Sequence, residues 1–88
     1  MYYVYILHSM KDGRLYTGFT SDLKKRLNEH STAKVKSTER RLPLKLIYYE
    51  AYLNRTDAKS REKFLKSGSG KRYIKKQLSN YFRITNPC

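Results

Sequence analysis

The sequence predicts a small α+β domain: a three-stranded antiparallel sheet flanked by helices, with elements in the order β-β-α-β-α-α. Two apolar, tyrosine-rich runs stand on either side of Lys11-Asp12-Gly13. That tripeptide is typical of a tight turn, so the two runs predict a hairpin. A third apolar run and segments with helix caps follow. The chain has 88 residues, which is enough for one compact domain.

The strands are predicted from β-branched and aromatic residues. Residues 2–8 (YYVYILH) are apolar on both faces, which indicates a central or covered strand. Leu15–Thr20 is its hairpin partner, and Leu44–Tyr52, just after Pro43, is a third strand. Gly18 interrupts the second strand. It indicates either a bulge or a point where another group approaches the backbone closely.

The first helix begins where the apolar alternation ends. Residues 20–22 (TSD) supply a hydroxyl cap and an acid for a helix that runs to about His30. Leu23 and Leu27 give this helix a buried stripe. Segment 31–41 is polar and basic without an apolar period, which indicates a mobile loop.

Two further helices are predicted towards the C-terminus. Residues 56–57 cap a helix through about Lys66, and the Gly-rich segment 67–70 ends it. Residues 71–82 form the last helix, with a regular apolar face. We expect residues 83–88 to fray, which leaves a single domain over residues 1–82 and a short C-terminal tail.

The charge of the chain predicts a polyanionic partner. Lys and Arg number 20 against 7 Asp and Glu, a formal net charge of +13. Nucleic acid is the usual polyanion for such a basic domain. A solvated basic surface that only keeps the protein in solution remains the open alternative.

A membrane partner and a disulfide framework are not expected. No apolar stretch approaches the roughly 18 residues of a membrane span, and the first residues form a strand pattern rather than a signal peptide. Cys88 is the single cysteine, so no disulfide or cysteine-based metal site is predicted. A reducing, cytoplasmic setting is expected.

Several polar side chains are candidates for chemistry. The hairpin should bring Tyr5 and Tyr16 together, and Arg26 and His30 lie four residues apart on one helix face. An arginine there can bind phosphate and a histidine can move a proton near neutral pH. An exposed basic helix face is the open alternative for the last two.

Glu62 is placed on the stripe of its helix that should face the sheet, in register with Ala58 and Leu65. A carboxylate in that position is costly unless it is paired or binds a cation. Arg61 or another base could pair with it. If it faces the tyrosines instead, it could hold Mg²⁺ with water and phosphate oxygens completing the shell.

With these residues in place, the sequence resembles the GIY-YIG nucleases over residues 2–78, in particular their small stand-alone bacterial members. Residues 3–5 (YVY) stand where the family has Gly-Ile-Tyr, and residues 16–18 (YTG) where it has Tyr-Ile-Gly. The capped first helix follows, and residues 61–63 (REK) look like the family's glutamate helix. The resemblance extends to the N-terminal catalytic domain of the family's nucleotide-excision-repair endonuclease, which implies DNA repair.

The resemblance implies an endonuclease that hydrolyses DNA phosphodiester bonds with one divalent ion, Mg²⁺ or Mn²⁺. Glu62 would hold the metal, and Tyr5 would be the general base that activates water. Tyr16 and His30 would orient water or relay the proton, and Arg26 would stabilise charge on the phosphate. The nearby metal and guanidinium are expected to favour the phenolate form of Tyr5.

Contacts to nucleic acid are expected from a glycine and four cations: Gly18, Lys24, Lys25, Lys71 and Arg72. The sequence departs from the family at three points. Tyr3 replaces the first glycine, and Phe19 replaces a basic residue that often follows the second motif. Many members also carry a phosphate-binding asparagine downstream of the glutamate, and the nearby candidate here, Asn80, stands late in the final helix. Either phosphate positioning is weaker for that reason, or Lys71 and Arg72 supply it.

Two other functions remain open. The same fold and basic face could form a non-catalytic module that binds DNA or RNA. A structural or ribosome-associated protein is the other possibility, but it leaves the clustering of tyrosines, arginine and glutamate unexplained.

Overall fold

A computed structural model describes residues 1–85, with the side chain of Thr85 excepted. The predicted tail therefore lies partly outside the described residues, at positions 86–88, which include Cys88. The elements, in chain order, are β1 (Tyr2–Ser9), β2 (Leu15–Thr20), α1 (Leu23–Ser31), β3 (Leu44–Tyr52), α2 (Arg55–Lys66), α3 (Gly68–Gln77) and α4 (Ser79–Thr85).

The sheet has the predicted architecture. Its three strands lie in the order β2-β1-β3 and pair antiparallel, so the strand that is apolar on both faces is the central one. The predicted hairpin turn is confirmed. Gly13 adopts φ +75°, a left-handed conformation that favours glycine, and its N–H donates to the Ser9 carbonyl at 2.9 Å.

Gly18 does not mark a bulge. The β1–β2 pairing runs without interruption through Tyr5 and Gly18, which are directly opposite each other. The irregularity of the sheet lies in the β1–β3 pairing instead, between Ile6 and Leu7. Gly18 is therefore a place of close approach, the other role that a strand glycine can have.

The two faces of the sheet are covered by different elements. Val4 and Ile6 on β1 pack with Ala58, Leu65 and Ile74 from α2 and α3, and these side chains form the buried hydrophobic core. Neighbouring residues on a strand alternate between faces, so Tyr5 points to the opposite face, where α1 lies. The sheet thus separates the side chains around Tyr5 from the apolar core, and helix α2, which carries Glu62, covers the core side.

The helix caps differ from those predicted. Asp22 itself caps α1, with its side chain accepting from the Lys25 N–H at 3.1 Å. Asn54 caps α2 by accepting from the backbone of Thr56 and Asp57, which were expected to be the cap. Asx side chains reach the free N–H groups of the first turn, which explains both assignments.

The C-terminal helices are divided differently from the prediction. A single residue, Ser67, separates α2 from α3, because its hydroxyl donates to the Phe64 carbonyl and accepts from the Gly70 N–H. The Gly-rich segment thus begins α3 rather than separating two helices. That helix ends at Gln77, and α4 continues to Thr85, so residues 83–85 are helical and not a frayed tail.

The segment after α1 is packed against the rest of the domain, contrary to the prediction of a mobile loop. Val35 and Thr38 are buried. The Ser9 hydroxyl donates to the Arg41 carbonyl at 2.6 Å, and the Met10 N–H donates to the Pro43 carbonyl at 2.8 Å. The end of β1 thereby holds this segment. Across residues 1–85, no helix is long and apolar enough to cross a membrane.

Candidate active site

A buried hydrogen-bonded chain joins β1, α1 and the segment after α1. The Tyr5 hydroxyl lies 2.9 Å from Nε2 of His30, and Nδ1 of His30 lies 2.7 Å from Oγ1 of Thr38. Tyr5, His30 and Thr38 are each at most 1% exposed. His30 is therefore an internal residue, and the alternative of an exposed histidine at the end of a basic helix is wrong.

The positions of the protons in the hydrogen bonds among Tyr5, His30 and Thr38 follow from the pKa values and from the partners of each group. Burial raises the pKa of Tyr5 to about 12, so the phenol keeps its proton at neutral pH and donates it. Burial and the Arg26 charge lower the pKa of His30, which favours the neutral imidazole. The Thr38 hydroxyl donates to the Val35 carbonyl, so it accepts from Nδ1–H of His30, and Nε2 then accepts from Tyr5.

The expected phenolate form of Tyr5 is not favoured by the protein alone. Desolvation of the buried phenol raises the pKa of Tyr5 and is the largest effect, whereas the Arg26 guanidinium lowers it, as predicted, but by less. The charges of Tyr16 and Glu62 raise that pKa further. Loss of the Tyr5 proton would therefore require an acceptor, and Nε2 of His30 lies 2.9 Å from the hydroxyl.

Tyr16 and Gly18 of β2 flank the Tyr5–His30 pair. The ring of Tyr16 lies edge-on to the His30 imidazole, with centroids 5.3 Å apart. Gly18 faces the Tyr5 ring so closely that a methyl group in place of its hydrogen would collide with Cζ and the hydroxyl oxygen of Tyr5. The space left by the missing side chain is filled by Tyr5; a contact between Gly18 and nucleic acid stays a prediction.

Arg26 lies at the mouth of the site, on the same side of α1 as His30. Its guanidinium forms an ion pair with Glu29 at 3.1 Å and also interacts with the Tyr5 hydroxyl. About a third of the Arg26 side chain is exposed, 36%. The group is thus anchored on the protein side and open to a ligand on the other.

Glu62 is buried on the sheet-facing stripe of α2, as predicted, with 8% of its surface exposed. Its two carboxylate oxygens pair with Lys59 at 3.0 Å and Lys66 at 2.8 Å. Burial opposes ionisation of Glu62, but the two ammonium groups outweigh it and lower the pKa of the carboxyl. The carboxylate is therefore ionised near neutral pH.

The donor set at Glu62 fits a single hard cation. An ionised carboxylate is the oxygen ligand that Mg²⁺ and Mn²⁺ prefer. The lysines that neutralise it have exposed side chains, 45% for Lys59 and 55% for Lys66, so both can turn to solvent. Within the described residues, no group of three or more His, Cys, Asp or Glu could hold a metal. Water and phosphate oxygens would have to complete the shell.

Arg61 is not the partner of Glu62. It forms an ion pair with Glu50 of β3, at 3.0 Å from Nε to Oε1, and Tyr48 and Tyr52 donate their hydroxyls to the same carboxylate. Burial opposes ionisation of Glu50, but Arg61 and these hydroxyls outweigh it and lower the pKa. The network ties β3 to α2 and leaves Glu62 to its two lysines.

The predicted nucleic-acid contacts occupy two separate surfaces. Lys24 and Lys25 are exposed on α1, near Arg26. Lys71 and Arg72 are exposed on α3, far along the chain. Lys71 lines a groove of about 410 Å³. The other residues that line it are three cations, Arg14, Arg41 and Lys75, together with Gly13 and Leu15.

Sequence reasoning missed three residues of the site: Thr38, Lys59 and Lys66. Thr38 lies in a segment without apolar periodicity, and only the folded chain brings it to His30. The lysines could have been found, because Lys59 stands three residues before Glu62 and Lys66 four after it. Phe19 was identified as a departure, and here Lys59 and Arg55 lie over its ring at 4.6 and 5.5 Å.

The fold and these side chains define a class of small α+β domains whose site is built around a buried tyrosine on the central strand. A profile of the GIY-YIG catalytic domain matches residues 1–77, and the chain belongs to the GIY-YIG family. Members of this family are generally endonucleases that use divalent metal ions and act on DNA. No solved structure is a significant match.

Relatives that share the designation UPF0213 occur in several bacteria. A UPF0213 protein of Streptococcus agalactiae is 48% identical over 65 residues, 73% of each chain. A UPF0213 protein of Clostridium perfringens is 46% identical over 67 residues, 75% of this chain and 71% of the relative. One from Pediococcus acidilactici is 38% identical over 87 residues, 96% of this chain and 88% of the relative.

Proposed function

We propose that this protein is a metal-dependent endonuclease that hydrolyses phosphodiester bonds in DNA. The observation that carries the proposal is the hydrogen bond between the Tyr5 hydroxyl and Nε2 of His30, 2.9 Å long and buried beside Arg26. A phenol with a high pKa is a poor base by itself, but a neutral imidazole in contact with it can take its proton.

The proton would pass through two residues during attack. Water gives a proton to the Tyr5 oxygen as Tyr5 gives its own proton to Nε2 of His30. The water oxygen forms a bond to phosphorus, and the bond from phosphorus to the leaving oxygen breaks, with that oxygen later protonated by solvent. His30 becomes imidazolium and returns the proton to solvent, while Thr38 keeps the ring oriented through Nδ1.

The other residues would act on the charge of the phosphate. Arg26 offers its exposed guanidinium to the phosphate oxygens, where negative charge grows during attack. Tyr16 holds the imidazole from the side. A divalent cation bound by Glu62 would polarise the phosphate and stabilise the leaving oxygen. Lys59 and Lys66 would then leave the carboxylate and turn to solvent.

DNA as the substrate is supported by the net charge of +13 and by the groove lined with Arg14, Arg41, Lys71 and Lys75. Among the residues that the structure describes, no acidic side chain lines this groove. We propose that it holds the phosphate backbone of DNA beyond the cleavage site. A role in DNA repair and a cytoplasmic setting stay predictions.

Cleavage assays test the proposal. Protein in excess is incubated with branched, nicked and single-stranded DNA, with Mg²⁺ or Mn²⁺. The Glu62→Ala variant should lose cleavage while it keeps its fold and its DNA binding. Asp57→Ala is a matched control, because Asp57 is an exposed acid on the same helix. The proposal fails if the wild-type protein cuts none of these substrates.

A non-catalytic binding module is the second candidate, and the basic groove favours it, because that groove does not involve the tyrosine cluster. Binding would then weaken with salt, with a logarithmic slope of about 0.9 per phosphate neutralised on duplex DNA. Glu62→Ala should leave such binding unchanged or slightly tighter. Absence of cleavage combined with this salt dependence would favour the module over the nuclease.

A further inference from the structure

A second aromatic surface lies beside Tyr5 on the same face of the sheet. Tyr49 of β3 is directly opposite Tyr5 of β1, and opposite residues in an antiparallel pair point to the same face. Tyr3 precedes Tyr5 by two positions and shares that face as well. The rings of Tyr3 and Tyr49 are in contact, with centroids 6.2 Å apart and planes inclined by 60°.

The two tyrosines differ sharply from Tyr5 in exposure. Tyr5 is 1% exposed, whereas Tyr49 is 53% exposed and Tyr3 is half-buried. Tyr49 therefore presents a large part of its ring to solvent. An aromatic ring gains much from being covered, because its apolar area is large and its hydroxyl can remain hydrated.

These tyrosines form one wall of a cavity of about 440 Å³ between α1 and the sheet. Leu23 and Leu27 of α1 add apolar surface, Lys24 contributes a cation, and Asp22 contributes a carboxylate that caps α1. An apolar wall with a few polar groups is typical of a site for a flat organic ligand. The ligand that this lining fits is an aromatic ring, with Lys24 available to pair with a phosphate attached to it.

The cavity adjoins the surface that holds Arg26. Ser21 and Asp22 line both this cavity and the neighbouring depression, which is lined by Lys25 and Arg26. The two therefore open on either side of the start of α1. A nucleic-acid strand with one phosphate at Arg26 would pass the start of α1 to bring a base to Tyr49.

We propose that this cavity receives an unpaired base of single-stranded DNA next to the phosphate at Arg26, with Tyr49 as the stacking surface. The inference rests on the proposed function for the position of that phosphate. Stacking on an aromatic side chain requires an exposed base face, which a base inside a duplex does not offer. A second copy of the chain is a poor occupant, because each copy carries a charge of +13.

Binding measurements without divalent cation separate this site from catalysis. Fluorescence anisotropy at fixed salt, in the presence of EDTA, compares a labelled oligo(dT) strand with a blunt duplex of equal length. The variants are Tyr49→Ala, Tyr49→Phe and Leu53→Ala. Leu53 is a matched control, because it is an apolar residue just after β3 with 85% exposure.

Tyr49→Ala should weaken binding of oligo(dT) by at least about fivefold and leave duplex binding within about twofold. Tyr49→Phe keeps the ring and should behave like the wild type, as should Leu53→Ala. The inference is overturned if Tyr49→Ala leaves oligo(dT) binding intact or weakens both substrates equally. It is also overturned if the wild-type protein is a dimer that this change dissociates.

The outcomes for the two proposals can be told apart. Single-strand binding that depends on Tyr49, without metal-dependent cleavage by the wild type, supports the base site and removes the nuclease. Cleavage that depends on Glu62, together with single-strand binding that Tyr49→Ala does not change, supports the nuclease and overturns the base site.

Discussion

The Tyr5 hydroxyl donates to Nε2 of His30 at 2.9 Å, in an environment where both side chains are almost excluded from solvent. Thr38 fixes the other nitrogen of the ring at 2.7 Å. Because the phenol has a raised pKa of about 12 and the imidazole a lowered one, the proton rests on Tyr5 before any reaction. The imidazole is therefore held ready as the acceptor.

Tyr5→Phe should remove the hydroxyl and keep the ring. We expect single-turnover cleavage to fall by about 100-fold or more, because a positioned general base typically contributes that much. The unfolding free energy should change by only about 1 kcal/mol, since one hydrogen bond is lost and the ring packing stays. Urea denaturation provides the stability measurement. Cleavage near the wild-type rate would exclude Tyr5 as the base.

His30 should make folding stability depend on pH. Burial, with Arg26 adding to it, lowers the pKa of His30 in the folded protein. The unfolded chain then binds more protons between that lowered pKa and about 6.5, so the unfolding free energy should fall as pH drops below about 6.5. Urea denaturation between pH 8 and pH 5.5 measures this, above the range where lowered carboxyl pKa values contribute.

The matched variant for this pH dependence is His30→Gln. It should be less stable overall, but its stability should vary less with pH in the same range. An equal dependence in both proteins would assign the effect to a group other than His30.

Gly18→Ala should disrupt the site without removing any of its polar groups. The added methyl would collide with the end of the Tyr5 ring, so the phenol must leave its place beside His30. We expect a loss of about 1–3 kcal/mol in stability, as for other overpacked sites, and a loss of cleavage comparable to that of Tyr5→Phe. Both are measurable by the assays above. Full activity in this variant would show that the Tyr5–His30 contact is dispensable.

Glu50→Gln should affect stability and not catalysis. Glu50 and Arg61 form an ion pair in which the Glu50 side chain is 15% exposed and the Arg61 side chain 26% exposed. Breaking such a mostly buried pair should cost about 2–3 kcal/mol, because Arg61 is left uncompensated. The cleavage rate per folded molecule should stay at the wild-type level. Glu62→Gln should abolish cleavage and cost less stability than Glu50→Gln, since both of its lysine partners are exposed and can return to solvent.

Gly70→Ala tests the junction of α2 and α3. A methyl group there would collide with the Phe64 carbonyl and the Leu65 Cα, both backbone atoms that cannot turn aside. We expect a loss of about 3 kcal/mol in chemical denaturation. Gly68→Ala is the matched control, because its methyl would meet only the Arg72 guanidinium at 3.8 Å. A small gain in stability is expected there from helix propensity.

The sequence was most informative where structure depends on neighbouring residues. The hairpin at Lys11-Asp12-Gly13 and the sheet-facing position of Glu62 both follow from local patterns, and the fold class followed from them. The cap residues were each misplaced by one or two positions, since Thr20, Ser21 and Asp22 are all plausible caps and only the backbone path selects among them.

The remaining features depend on contacts between distant segments. Thr38 reaches His30 because the end of β1 holds the segment after α1. No periodic pattern in the sequence predicts this contact. The partner of Arg61 is Glu50 from another strand rather than the adjacent Glu62. Arg26 lowers the pKa of Tyr5 as predicted, but the depth at which the fold buries the phenol has the larger effect and could not be read from the sequence.

Ser67 ends one helix and begins the next, with its hydroxyl bonded to Phe64 on one side and Gly70 on the other. Only Ser67 separates α2 from α3. We therefore expect the helices that carry Glu62 and Lys71 to unfold as one cooperative unit. Amide protons in the last turn of α2 and the first turn of α3 should exchange with solvent through a single shared opening. A DNA strand bound to α3 would then slow amide exchange around Glu62 as well.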